Sequence, residues 1–137
     1  MAKIAILSGR YELVHPGHIQ TIRREAARFR RLYVYVVDRK SAPIPSLWSA
    51  EILRWCTMDI PVVICLSPVH FGRATKKDIG SLPKYDIFLS ANPAVSAHLR
   101  SLGVPVEDIS MTVGYSSTRL KICLLRDMIS SWAKGKK

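Results

Sequence analysis

A short aliphatic run, Ile4-Ala5-Ile6-Leu7, hands over within ten residues to a helical pattern, and that handover restricts the chain to few architectures. The run reads as a buried strand over 3–8. Beyond it, Ile19, Ile22, Ala26 and Phe29 recur at helical spacing, which predicts a helix from about 17 to 29. Between the two lies Gly9-Arg10-Tyr11-Glu12-Leu13-Val14-His15-Pro16-Gly17-His18. Two histidines three apart thus fall at the start of a helix that follows a strand, and residues three apart share a helical face. The first turn of a helix also offers unpaired backbone N–H groups and the positive end of the dipole. Imidazoles added there make a site for a polyphosphate.

The rest of the chain continues the alternation. A second strand is predicted over 31–37, rich in Val and Tyr, then a loop with Pro43 and Pro45. A helix is predicted over 48–58, with Ser49 near its start and Glu51 in its first turn. A third strand covers 61–66. The polar stretch 67–84, with Pro68, Gly72, Gly80 and Pro83, reads as a loop holding at most a short helix. A fourth strand is expected over 85–90. A helix follows over 92–102, capped by Asn92, with Pro93 at its first position and Gly103 ending it. The segment 104–109 leads to a short fifth strand, and a long helix is expected over 116–132. Alternating strands and helices with no linker or repeat give one domain over 1–137. It is an α/β, doubly wound, Rossmann-like fold: a five-stranded parallel sheet with helices on both faces. Ligands of such sheets bind beyond the carboxyl ends of the strands, at the switch point, where the His15–His18 loop falls.

Composition narrows the function. The 137 residues suffice for a sizeable core, and 48% are apolar. No apolar run approaches the roughly 20 residues that span a bilayer, and Met1-Ala2-Lys3 before a strand is unlike a signal peptide. Cys56, Cys65 and Cys123 form no Cys-x-x-Cys pair and fit reduced thiols, so a cytoplasmic protein without membrane contact is expected. The net charge of +11 fits attraction of polyanionic small molecules, and it also raises nucleic acid as a partner. The charge gathers in Arg23, Arg24, Arg28, Arg30 and Arg31 and in Lys134, Lys136 and Lys137; a solvated outer face explains the helical arginines equally well. Trp48 and Trp55, seven apart on a helix, read as core before they read as a stacking platform.

A second constellation lies near the C-terminus, Gly114-Tyr115-Ser116-Ser117-Thr118-Arg119-Leu120-Lys121. A helix cap explains one hydroxyl there and leaves two over. Hydroxyls, N–H groups and Lys121 together suit a second phosphate cradle.

The first motif resembles the signature Gly-x-Phe-Asp-x-x-His-x-Gly-His of the nucleotidylyltransferase superfamily. Gly9, His15, Gly17 and His18 coincide with it, Tyr11 stands for the aromatic and Glu12 for the acid. The late motif is similar to the superfamily's Ser-Ser-Thr-x-Ile-Arg-like segment, with Lys121 in place of Arg. Two branches compare. Met111 to Thr118 is similar to the Arg-Thr-x-Gly-Ile-Ser-Thr-Thr of glycerol-3-phosphate cytidylyltransferases, with Met111 where Arg is expected. Archaeal-type nicotinamide-mononucleotide adenylyltransferases resemble the chain at Gly9-Arg10-Tyr11, at Ser90-Ala91-Asn92-Pro93-Ala94-Val95 through Gly103, and at Tyr115 to Lys121.

The resemblance implies transfer of a nucleotidyl group, preferably from ATP, to a phosphate-bearing acceptor such as nicotinamide mononucleotide, with release of pyrophosphate. The alternative is CTP with a phosphorylated alcohol. In that mechanism His15, His18 and Lys121 are catalytic, stabilising phosphate charge. Gly9, Arg10, Tyr11, Gly17, Asn92, Ser116, Ser117 and Thr118 bind the nucleotide. Arg39 and Lys40 lie where they could reach phosphate. Mg²⁺ is expected on the triphosphate, with Glu12 and Asp38 structural and no metal site of the protein's own. The chain is shorter than most adenylyltransferases of this type, so part of the acceptor pocket is either missing or supplied by a partner subunit, and a homo-oligomer is expected. A non-catalytic module bound to nucleic acid is the rival class, disfavoured because both histidines and the hydroxyl cluster are intact. A P-loop kinase is excluded by the lack of Gly-x-x-x-x-Gly-Lys-Ser/Thr.

Overall fold

Residues 3–9, 11, 14–37, 45–67 and 69–110 are described by the computed structural model. Strand β1 (Ile4–Gly9) leads to helix α1 (Pro16–Ala26), β2 (Arg31–Val37), α2 (Ser46–Cys56) and β3 (Val62–Ser67). A single 3-10 turn (Phe71–Arg73) and the short α3 (Lys76–Gly80) precede β4 (Ile87–Ser90), α4 (Pro93–Ser101) and β5 (Val106–Asp108). All four strand pairings are parallel, and the order across the sheet is β3-β2-β1-β4-β5. This is the doubly wound α/β fold that the alternation predicts.

Strand alternation builds two cores. Ala5 and Leu7 face one side with Leu32, Val34 and Val36, and there Ile22 and Ala26 of α1 and Ala50 and Leu53 of α2 pack. Ile6 faces the other side with Tyr35, Val37 and Phe88, covered by Phe71 and by Val95 and Leu99 of α4. The first two crossovers run outward from β1 to β3 and put their helices on the first face. The third returns past β1 to β4, so its helices cover the second face, because parallel crossovers share one hand. Winding therefore reverses between β1 and β4, and that is where the strand ends splay into a crevice.

Local chemistry fixes the element ends. In α4, the Asn92 side chain accepts the Ala94 N–H at 3.0 Å and Pro93 takes the first position, as predicted. Gly103 ends the helix with φ +81°; its N–H reaches the Arg100 carbonyl and that of Val104 the Leu99 carbonyl. Helix α2 departs from expectation. It begins at Ser46 behind Pro45, Ser49 is buried inside it, and Glu51 pairs with Arg54 one turn on. Trp48 and Trp55 are not core residues: both are exposed, because Ala50 and Leu53 occupy the stripe that faces the sheet. The polar stretch before β4 holds α3, closed by a reciprocal cap between Thr75 and Asp78. The helix predicted over 116–132 and Cys123 lie outside the described residues.

Candidate functional site

The histidine turn sits at the carboxyl end of β1, beside the switch point. His15 is the N-cap of α1, in extended conformation (φ −131°, ψ 168°), and Pro16 occupies the first helical position. His18 is the third helical residue. The two rings thus meet by a route the helical repeat does not provide: the cap residue lies over the first turn, and its imidazole stacks on that of His18 at 3.7 Å between centroids, 20° between planes. Both rings are buried. The backbone N–H of His15 donates to Nδ1 of His18 at 3.2 Å. With Nδ1 accepting, the neutral ring carries its proton on Nε2, leaving that nitrogen as a donor. Burial, with the neighbouring His15 ring adding to it, presses His18 down to about 4 from an ordinary 6.5. Burial lowers His15 as well. The site therefore presents neutral imidazoles at neutral pH.

Gly9 and Tyr11 form the floor. Tyr11 has φ +46°, an uncommon conformation for a residue with a side chain, and it is buried. Its ring stands edge-on to His18, 4.9 Å between centroids and 72° between planes. The same ring lies over Gly9: a Cβ there would come within 2.7 Å of its edge. The glycine is thus required by the close approach of an aromatic ring, which in turn braces His18. Burial raises the Tyr11 phenol well above its usual range, so it stays neutral. Gly17 is buried in the first turn of α1, and its carbonyl accepts the Thr21 hydroxyl at 2.9 Å.

Across the switch point, Leu7 pairs with Leu89, so the ends of β1 and β4 are neighbours. The Ser90 hydroxyl donates to the Asn92 carbonyl at 3.0 Å and accepts the Asn92 N–H at 3.2 Å, fixing the turn into α4. Asn92 is exposed beside this turn. The structure thus brings Gly9, Tyr11, His15, Gly17 and His18 together on one turn and places Asn92 on the adjacent strand end. Arg10, Ser116, Ser117, Thr118 and Lys121 lie outside the described residues, as do Glu12, Asp38, Arg39 and Lys40.

Sequence reasoning missed Glu25. This buried carboxylate receives Arg24 at 2.8 Å and is shared with Arg28, which also bonds Glu107 in β5 at 2.6 Å. Arg23 makes a two-pronged contact with Asp59 at 2.7 and 2.9 Å. Three of the basic residues around α1 are therefore committed to carboxylates within the chain. A lone acid among arginines on the apolar side of the helix was the available signal. Among the described residues, no group of three or more His, Cys, Asp or Glu could hold a metal ion, and no helix is long and apolar enough to cross a membrane.

No family model matches the sequence, and no curated protein does. Solved structures do match. A bifunctional NMN adenylyltransferase/ADP ribose pyrophosphatase from Francisella tularensis superposes over 88% of the chain with a TM-score of 0.68 at 13% identity. The same protein complexed with AMP and manganese gives 0.67 at 11% identity. In each case the chain spans 41% of the larger protein's length. A lipopolysaccharide core biosynthesis protein from Thermoplasma volcanium is matched over its whole length and 84% of this chain, with a TM-score of 0.59 at 16% identity. At these identities the shared property is the fold, a Rossmann-like parallel sheet flanked by helices.

Proposed function

We propose that the chain is a nucleotidylyltransferase that moves a nucleotidyl group, preferably adenylyl from ATP, to a phosphate-bearing acceptor and releases pyrophosphate. One observation carries the reading: two stacked, neutral imidazoles, one a fixed-tautomer Nε2–H donor, at the N-terminus of a helix beside the switch point of a parallel sheet. Two Francisella structures with this fold are named for NMN adenylyl transfer, which supports nicotinamide mononucleotide as the acceptor.

The acceptor's phosphate already bears an ionised oxygen, so no protein nucleophile is required. It attacks the α-phosphorus in line, the bond to the bridging oxygen breaks, and pyrophosphate leaves. Catalysis is then positioning together with stabilisation of charge that grows in the transition state. His18 donates from Nε2 to a phosphate oxygen, with His15 beside it. Gly17 brings a backbone N–H to the phosphates without a side chain between. Tyr11 acts through His18 as a positioning residue, and Gly9 makes room for it. Ser116, Ser117, Thr118 and Lys121 hold the departing pyrophosphate, and Arg10 and Asn92 border the nucleotide. The substrate in this reading is the magnesium complex of the triphosphate, the ion carried by the phosphates. In this reading the enzyme is cytoplasmic.

The test is pyrophosphate release with ATP or CTP against nicotinamide mononucleotide, glycerol phosphate, phosphocholine and phosphopantetheine. Turnover with ATP and nicotinamide mononucleotide is expected. His18→Ala should lower it about a hundredfold or more with the fold intact by circular dichroism. Turnover with CTP alone would transfer the assignment to a cytidylyltransferase. Salt-sensitive binding to RNA or DNA without pyrophosphate release would favour the non-catalytic class. Wild-type turnover by His18→Ala would sink the site.

A further inference from the structure

We propose that two copies of this chain pair through the outward face of α2, with the helices antiparallel about a two-fold axis. The argument is independent of the activity. Helix α2 is apolar on two sides. Ala50 and Leu53 face the sheet, while Leu47, Trp48, Ile52 and Trp55 face away, and Met58, two residues beyond the helix, is exposed as well. Trp48 is 58% exposed, Trp55 76%, Leu47 52% and Met58 77%. With large side chains at roughly 150–250 Å² each, this leaves on the order of 600 Å² of apolar surface, the upper end of what monomers show. A stable interface of ordinary size takes about 800 Å² from each partner, so this face supplies most of one side.

Charge leaves this face open to a second copy, and the order of its side chains selects one. The chain carries +11 overall, so most of its faces repel a like molecule. The segment 46–67 escapes that excess: one arginine, Arg54, stands against two acids, Glu51 and Asp59, a net of −1. Arg54 is paired with Glu51, and Asp59 with Arg23 of α1, so the face is nearly neutral. The residues are also arranged for self-complementarity. Trp48 and Trp55 lie symmetrically about the point between Glu51 and Ile52. An antiparallel pairing about that point puts each Trp48 against the other copy's Trp55, the reciprocal contact a two-fold interface demands. Tryptophan is the side chain most often found at the energetic centre of interfaces.

The test is the mass of the full chain by sedimentation across a concentration series. The wild type should be dimeric, and Trp55→Glu should convert it to a monomer with unchanged far-ultraviolet circular dichroism. Val63→Lys, on the opposite face of the sheet, should leave the dimer intact. Ile52→Cys in a Cys56→Ser background should be joined into a covalent dimer by a short bismaleimide, a readout that needs no destabilising charge. A wild type monomeric throughout overturns the proposal, as it would if residues 111–137 of the same chain occupied this face. A dimer that survives Trp55→Glu, or Ile52→Cys that stays uncoupled, assigns the interface elsewhere and overturns it equally.

Discussion

Acidification should unfold this protein through His18 in particular. The buried ring titrates near 4 when folded, against 6.5 in an open chain. Between those values the unfolded chain binds a proton that the folded protein refuses. Protons therefore favour unfolding, and stability falls as pH drops from 6.5 toward 4. Each pH unit of difference is worth about 1.4 kcal/mol, so the whole window amounts to roughly 3 kcal/mol. About 2 kcal/mol of it is spent by pH 5. The comparison that isolates it is urea unfolding of wild type and His18→Gln near neutrality and near pH 5. Glutamine keeps a carbonyl that accepts the His15 N–H but has nothing to titrate in this range. The depressed His15 and the carboxylates titrate in both proteins and largely cancel in the difference. Wild type should lose about 2 kcal/mol more than the variant. Equal losses in the two proteins would refute a buried, neutral His18.

Two further outcomes follow from the same turn and its neighbour. Gly9→Ala drives a Cβ to 2.7 Å from the Tyr11 ring, so it should cost about 1–3 kcal/mol in urea unfolding, and Tyr11→Leu in the same chain should recover much of that. Asn92→Ala removes the acceptor of the Ala94 N–H and should cost about 1 kcal/mol by thermal unfolding, whereas Asn92→Asp should restore it.

The strands and most helices were legible because each carries its own period. β2 falls where its Val and Tyr run places it, and α4 begins and ends on the residues whose chemistry caps it. What stayed hidden depended on contacts distant in sequence. Trp48 and Trp55 have the spacing of a core stripe, yet Ala50 and Leu53 take the sheet side and turn the tryptophans outward. The arginines of α1 look like a cationic face in sequence, and only folding brings Asp59 and Glu107 to them.

The site divides in the same way. The spacing His15-Pro16-Gly17-His18 dictates a strand-to-helix turn with paired imidazoles, because proline, glycine and a cap residue fix that turn locally. Tertiary structure alone decided that both rings are buried, that His18 is thereby pressed down to about 4, and that the turn lies beside the end of β4. Those properties arise from burial and from the order in which strands meet, and neither is a property of any short stretch of chain. Local periodicity can specify an element, but the dielectric around a ring and the neighbour it touches exist only after the sheet has closed around it.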